Sequence, residues 1–273
     1  MNRKEKIMKR LQEHYDALEA QGYNIVALFL QGSQNYNLDI YTDDYQSDID
    51  SKAIVLPSLN DIVLGKSPES HTHVLENDEH IDIKDVRTWV EMWKKQNISY
   101  LEILFTEFCI INPKYKKFVD ELLTHADEIS RFSETLAVRC MLGMCFEKEK
   151  ALEHPYPATL SKIEKYGYDP KQLHHIIRLE NVCRRYINGE SLRTAYIPDE
   201  DTLTYLREVK CGLHSLEEAR ELTKEYIVKV KGYLDESLKE HGMNVNTDVS
   251  KTLDTFKYDI IKFSLTEELK IEK

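Results

Sequence analysis

Asn24-Ile25-Val26-Ala27-Leu28-Phe29-Leu30-Gln31-Gly32-Ser33 and, fourteen positions on, Ser47-Asp48-Ile49-Asp50-Ser51-Lys52-Ala53-Ile54-Val55-Leu56 are the stretches that decide the fold. Each is a short apolar run rich in β-branched and aromatic residues, too short for a helix, and reads as a buried strand. The first runs from Asn24 to Leu30 and passes straight into Gln31-Gly32-Ser33. The second runs from Asp48 to Leu56 and is closed by Pro57. His80-Ile81-Asp82-Ile83-Lys84 alternates with period two and gives a third strand.

Working outward, residues 3–20 carry Ile7, Leu11, Tyr15 and Leu18 at helical spacing, with Gln21-Gly22 as a stop. Residues 58–70 read as a helical turn and loop. Asp85 is placed to cap a helix through Gln96 that turns Val86, Trp89, Val90 and Trp93 inward. From about residue 114 strand signals vanish, and helical patterns cover 114–125, 130–152, 170–188, 199–210 and 215–240. The last segment, 244–273, is left either to dock as a helix or to fray. The expected fold is therefore α+β: a small mixed sheet with flanking helices in residues 1–112, then an all-helical domain in 113–273.

Composition narrows the function. The chain has 273 residues, 41% of them hydrophobic and 31% charged, with a net charge of −11. That charge excludes a nonspecific coat for nucleic acid or an anionic membrane, but leaves room for a locally basic site. No run approaches the ~18 apolar residues of a membrane span. Met1 to Arg10 is charged throughout, without the apolar core of a secretory signal. Five scattered cysteines without a Cys-x-x-Cys pair fit free thiols in a reducing compartment. The expected location is the cytoplasm.

The chemistry gathers between Leu30 and Asp82. On a strand, Asp48 and Asp50 point to one face and Ile49 to the other. Two acids so close repel each other unless a cation lies between them, and a divalent metal removes the conflict. Asp82, set between Ile81 and Ile83, is an isolated acid on a neighbouring strand that can complete such a site. Gly32 lets backbone approach a ligand, and Ser33 at the start of a helix suits a phosphate. Taken alone, Asp-x-Asp also describes a solvated edge strand. Neither a Walker A segment nor G-x-G-x-x-G occurs.

This order resembles the nucleotidyltransferase (DNA polymerase β-like) superfamily. More narrowly, it looks like the bacterial and phage predicted nucleotidyltransferases that include RNA-ligase-associated members. The resemblance rests on Gly32-Ser33-Gln34-Asn35-Tyr36-Asn37, Ser47-Asp48-Ile49-Asp50, Asp82, Asn97-Ile98-Ser99-Tyr100-Leu101-Glu102-Ile103-Leu104, and Lys171, His175, Arg178 and Leu179, and covers most of 25–215. Asn37 stands where that group has glycine, and asparagine tolerates left-handed backbone. The loop before Ser47 is longer than usual and makes Asp43 and Asp44 rival acids, although paired loop acids are ordinarily solvated.

The resemblance implies a catalytic metal site of Asp48, Asp50 and Asp82, with Mg²⁺ or Mn²⁺ bridging a nucleoside triphosphate. The triphosphate would be held by Gly32 and Ser33, and the acceptor would be an RNA or tRNA end, a protein or a small molecule. The alternative is a nucleotide or RNA sensor without turnover. Lys171, His175 and Arg178 share one helix face, in a span (161–193) with seven basic and four acidic residues. That face reads either as a phosphate wall or as a solvated basic surface. His174, adjacent to His175, cannot share its face. Of the aromatic residues, Tyr36, Tyr41 and Tyr45 could stack on a base, Tyr36 best, whereas Trp89 and Trp93 read as core.

Overall fold

The structure is a computed structural model that describes residues 2–41 and 47–271. Asp43, Asp44 and Tyr45 lie outside the described residues. The elements in order are α1 (Arg3–Ala20), β1 (Ile25–Gln31), a 3-10 turn (Ser33–Tyr36), β2 (Asp50–Val55), α2 (Leu59–Val63), β3 (Ser70–Val74), β4 (His80–Asp85) and α3 (Val86–Lys94). They continue with α4 (Ile98–Leu101), β5 (Cys109–Ile111), α5 (Lys116–Thr124), α6 (Ala126–Ser130), α7 (Glu134–Ala151), α8 (Leu160–Tyr166) and α9 (Pro170–Ile187). The chain ends with α10 (Leu192–Ala195), α11 (Glu200–Lys210), α12 (Leu216–His241) and α13 (Thr247–Ile271).

The fold is mixed α+β. Five strands form one sheet in the order β3-β4-β2-β1-β5, with β2 and β4 parallel and the other pairs antiparallel. Period-two alternation gives β1 and most of β2 two apolar faces, whereas β4 is apolar on one face and carries Asp82 and Lys84 on the other. On one face Ile25, Leu28, Leu30, Ala53, Val55, Ile81 and Ile83 pack under Ile7, Leu11, Tyr15 and Leu18 of α1. The other face, with Ala27, Phe29 and Ile54, joins a cluster that continues through Trp89 and Trp93 into α7, α9, α12 and α13. Trp89 Nε1 donates to the Ala53 carbonyl at 3.1 Å, which pins α3 to the middle of β2.

Three elements differ from the sequence reading. β2 begins at Asp50, because β1 ends at Gln31, its register partner, and leaves Asp48 ahead of the ladder. β3 and β5 were not foreseen. β3 is an exposed edge strand (Ser-His-Thr-His-Val) without an apolar face, and β5 has three residues, too few for a period to register. Gly32-Ser33 opens a short helix as expected, a 3-10 helix over Ser33–Tyr36. The final segment docks. Ser264 of α13 accepts from Asn24 Nδ2 at 2.8 Å, and Lys94 of α3 pairs with Asp254 at 2.7 Å. Among the described residues no helix is long and apolar enough to cross a membrane.

Candidate functional site

The register of the sheet assembles the site. Gln31 faces Asp50 across β1 and β2, so Gly32 and Ser33 leave the sheet beside Asp50. Lys52 faces Asp82 across the parallel pair, which puts Gln31, Asp50, Lys52 and Asp82 on one sheet face. Gly32 has φ 89° and ψ −153°, a conformation essentially restricted to glycine. Asn37 ends the turn at φ 59° in the left-handed region, as its side chain permits.

Asp48 is exposed and Asp50 half-exposed. Partial burial, then the charge of Asp50, raises the pKa of Asp48, while Lys171 of α9 lies near enough to oppose the shift. Asp50 Oδ1 accepts from the His80 backbone N–H at 2.9 Å and lies 3.4 Å from His80 Nδ1. Asp82 is engaged at both oxygens: Lys84 Nζ lies 3.0 Å from Oδ1, and the Tyr100 hydroxyl donates to Oδ2 at 2.8 Å. Among the described residues no three His, Cys, Asp or Glu side chains form a group that could hold a metal ion. Asp48 and Asp50 nonetheless present hard oxygens that repel each other, and Mg²⁺ commonly takes only one or two protein carboxylates, with phosphate and water completing its shell. The chemistry of that pair suits such an ion, while both Asp82 oxygens are already engaged by Lys84 and Tyr100.

Several positioning groups escape motif reading. Glu79 reaches under Asp48 and Asp50 and accepts from the Ile49 N–H at 3.4 Å. Its other oxygen takes Arg10 Nε at 3.0 Å and His14 Nε2 at 2.9 Å, and His14 Nδ1 lies 2.9 Å from Ser51 Oγ. Arg10 and His14 sit one helical turn apart on α1, and only the fold brings them to residue 79. Lys52 is buried, bonds the Ser99 carbonyl and lies 3.0 Å from Glu102 Oε1. Burial pushes Lys52 down to about 7 and Glu102 up to about 8. Lys52 had a readable signal, because it follows Asp50 by two and so must share its face. Glu79 had none.

The helical half contributes unequally. Lys171 is exposed and makes no ion pair among the described residues. His174 is buried with Nδ1 2.8 Å from the Leu206 carbonyl, a structural histidine. Burial, His174 and the charges of Arg178, Lys171 and Lys148 push His175 well below its ordinary value, so it is neutral near pH 7. The Arg178 guanidinium lies 4.4 Å from the Tyr36 ring centroid, and Tyr36 is stacked on Tyr196 at 5.5 Å. Tyr36 is buried. Arg184 and Arg185 pair with Glu180 and Glu190, so part of the basic span is an ordinary ion-paired surface. Trp89 and Trp93 are core.

A cleft of about 360 Å³ joins the carboxylate face to α7, between Gln31, Lys52 and Asp82 on one side and Gly143, Met144 and Glu147 on the other. A larger cavity of about 590 Å³ lies at the other end of β2, around Leu56 and Pro57. Four of its charged wall residues pair, Lys66 with Asp61 and Arg87 with Asp85, and it lies at the opposite end of β2 from Asp50.

No protein-family model matches this chain, and no curated protein does. Among solved structures it is similar to a nucleotidyltransferase-like protein from Exiguobacterium sibiricum 255-15, at 11% identity, covering 93% of this chain and 80% of that one with a TM-score of 0.29.

Proposed function

We propose that this protein transfers a nucleoside monophosphate from a nucleoside triphosphate to a hydroxyl-bearing acceptor. The observation that carries this reading is the Asp48–Asp50 pair, set beside the glycine-only turn at Gly32 and faced by Lys171. Adjacent carboxylates with a cation opposite suit a metal-bound polyphosphate. Asp48 and Asp50 would hold Mg²⁺ or Mn²⁺, which neutralises phosphate charge. Gly32 and Ser33 would meet the phosphates with backbone and hydroxyl, and Lys171 would approach them from α9. Neutral His175 and enclosed Arg178 support that wall from behind.

In the reaction the acceptor oxygen bonds to the α-phosphorus, the bridging α–β P–O bond breaks, and pyrophosphate leaves. Asp82, on the same face, takes the hydroxyl proton. The acceptor, an RNA end, a protein or a small molecule, enters by the cleft beside Asp82.

Labelled triphosphates with Mg²⁺ or Mn²⁺ and mixed acceptors test this. Transfer is expected, with loss of at least about 100-fold in Asp48→Ala and Asp50→Ala, in line with removing a group that stabilises transition-state charge. Absence of transfer across a broad screen, or variants as active as the parent, overturns it. The engagement of both Asp82 oxygens favours a second reading, a nucleotide sensor. Metal-dependent triphosphate binding that never yields pyrophosphate selects that one.

A further inference from the structure

A second cavity, of about 320 Å³, shares no wall residue with the cleft beside Asp82. The turn residues Gln34 and Tyr36 form one side, and Phe105, Arg193 and Tyr196 form another. Its walls are planar. Phe105 and Tyr196 have ring centroids 6.3 Å apart, and the Arg193 guanidinium carbon lies 5.1 Å from the Phe105 centroid. Phe105 is half-buried and Arg193 exposed, so this stack stands at the cavity mouth. A guanidinium on an aromatic face occupies the kind of position that a nucleobase takes in a stacked site.

The polar lining points the same way. Gln34 is 1% exposed and Tyr36 3%, yet Gln34 Oε1 and Tyr36 Oη are enclosed without a hydrogen-bond partner. The Gln34 amide nitrogen donates to the Tyr41 hydroxyl at 2.7 Å and to the Asp48 carbonyl at 3.5 Å, and because that carbonyl only accepts, the oxygen is the unpaired end. Buried acceptors are ordinarily paired, and an unpaired one in a cavity wall calls for a donor from a ligand. Gln34 also follows directly on Gly32-Ser33, so the cavity wall is continuous in the chain with the proposed phosphate step.

We propose that this cavity holds the base of the nucleoside triphosphate, stacked on Phe105 in the place the Arg193 guanidinium now takes, with Arg193 moving outward to cover it and an exocyclic amine donating to Gln34 Oε1. The assignment rests on reading Gly32 to Asp50 as a nucleotide site. It selects bases that carry an amine (adenine, guanine or cytosine) over uracil.

Calorimetry on the full chain with Mg²⁺ tests it, using ATP, UTP, inorganic tripolyphosphate and adenosine against the parent and Arg193→Ala. Arg193 is exposed, so its removal leaves the melting temperature unchanged; Phe105→Leu serves as a second variant. ATP is expected to bind about tenfold tighter than UTP or tripolyphosphate, and Arg193→Ala to lose about tenfold for ATP and nothing for tripolyphosphate. Equal weakening of ATP and tripolyphosphate, or ATP affinity unchanged in both variants, overturns the assignment. Adenosine binding lost in the variants while ATP is unaffected also overturns it, and gives the cavity to an acceptor base. If tripolyphosphate binds and no base effect exists, the cavity assignment falls while the phosphate site stands. If the parent binds no polyphosphate, the nucleotide reading falls. Arg193-dependent adenosine binding would then still support a base cavity, and its absence would remove both.

Discussion

Replacing Glu79 with glutamine tests how the carboxylates at 48 and 50 are held in place. Glu79 is 8% exposed. Burial alone would raise its pKa, but hydrogen bonds from His14, Arg10 and Asn77 and the charge of Arg10 outweigh it and hold the carboxyl at about 2, below its ordinary 4.5. At about 1.4 kcal/mol per pKa unit, that depression contributes about 3 kcal/mol of stability at neutral pH. The folded value lies below the unfolded one, so the contribution is complete above pH 4.5 and is lost as pH falls toward about 2. By the same relation roughly 2 kcal/mol of it has gone at pH 3. Urea unfolding followed by the fluorescence of buried Trp89 and Trp93 measures this in parent and Glu79→Gln at several pH values. The expected difference is about 3 kcal/mol at pH 7, narrowing to about 1 kcal/mol at pH 3. A difference below about 0.5 kcal/mol at pH 7, or one that does not narrow in acid, refutes the reasoning.

Gly32→Ala should cost about 1–3 kcal/mol in the same assay, because alanine must adopt φ 89° with ψ −153° while no contact crowds its Cβ. Lys52→Met removes the partner of buried Glu102; burial already pushes that carboxyl up to about 8, so it stays mostly protonated at pH 7 and the loss should be about 1–3 kcal/mol, with Lys52→Met and Glu102→Gln together costing less than the sum of the two; additive losses would show that the pair is not coupled. Lys171→Glu, at an exposed position, should leave the melting temperature unchanged and raise KM for the triphosphate about tenfold; an unchanged KM removes Lys171 from the phosphate wall.

The legible parts of the molecule were those written in local period. Residues 3–20 and 170–187 repeat an apolar position every turn, and Asn24 to Leu30 and Ile81-Asp82-Ile83 carry strand chemistry, so their elements were readable. Asp85 capped α3 as expected, accepting from the Arg87 N–H at 2.7 Å. What did not show depends on partners far along the chain. Asp48 lies outside β2 because β1 stops opposite Asp50, which is a fact about pairing rather than about residue 48. Tyr36 reads as a polar-tipped loop aromatic, and only Tyr196 and Arg178, more than 140 positions away, make it core. The Glu79, Arg10 and His14 cluster joins residues 65 and more apart and had no local signature.

The contact between Asn24 and Ser264 spans 240 positions and sets the order in which the molecule can be assembled during synthesis. Tyr115 joins the same pair, donating to Asn24 Oδ1 at 2.8 Å. At about 5–20 residues per second, the start of β1 waits on the order of tens of seconds for the helix that covers it. Until then the neighbouring apolar surface around Tyr115 and Trp93 stays uncovered, although the strands that carry Asp50 and Asp82 have already been made. The sheet is thus translated early and sealed late, which makes the nascent chain, rather than the finished protein, the form most exposed to aggregation and to chaperones.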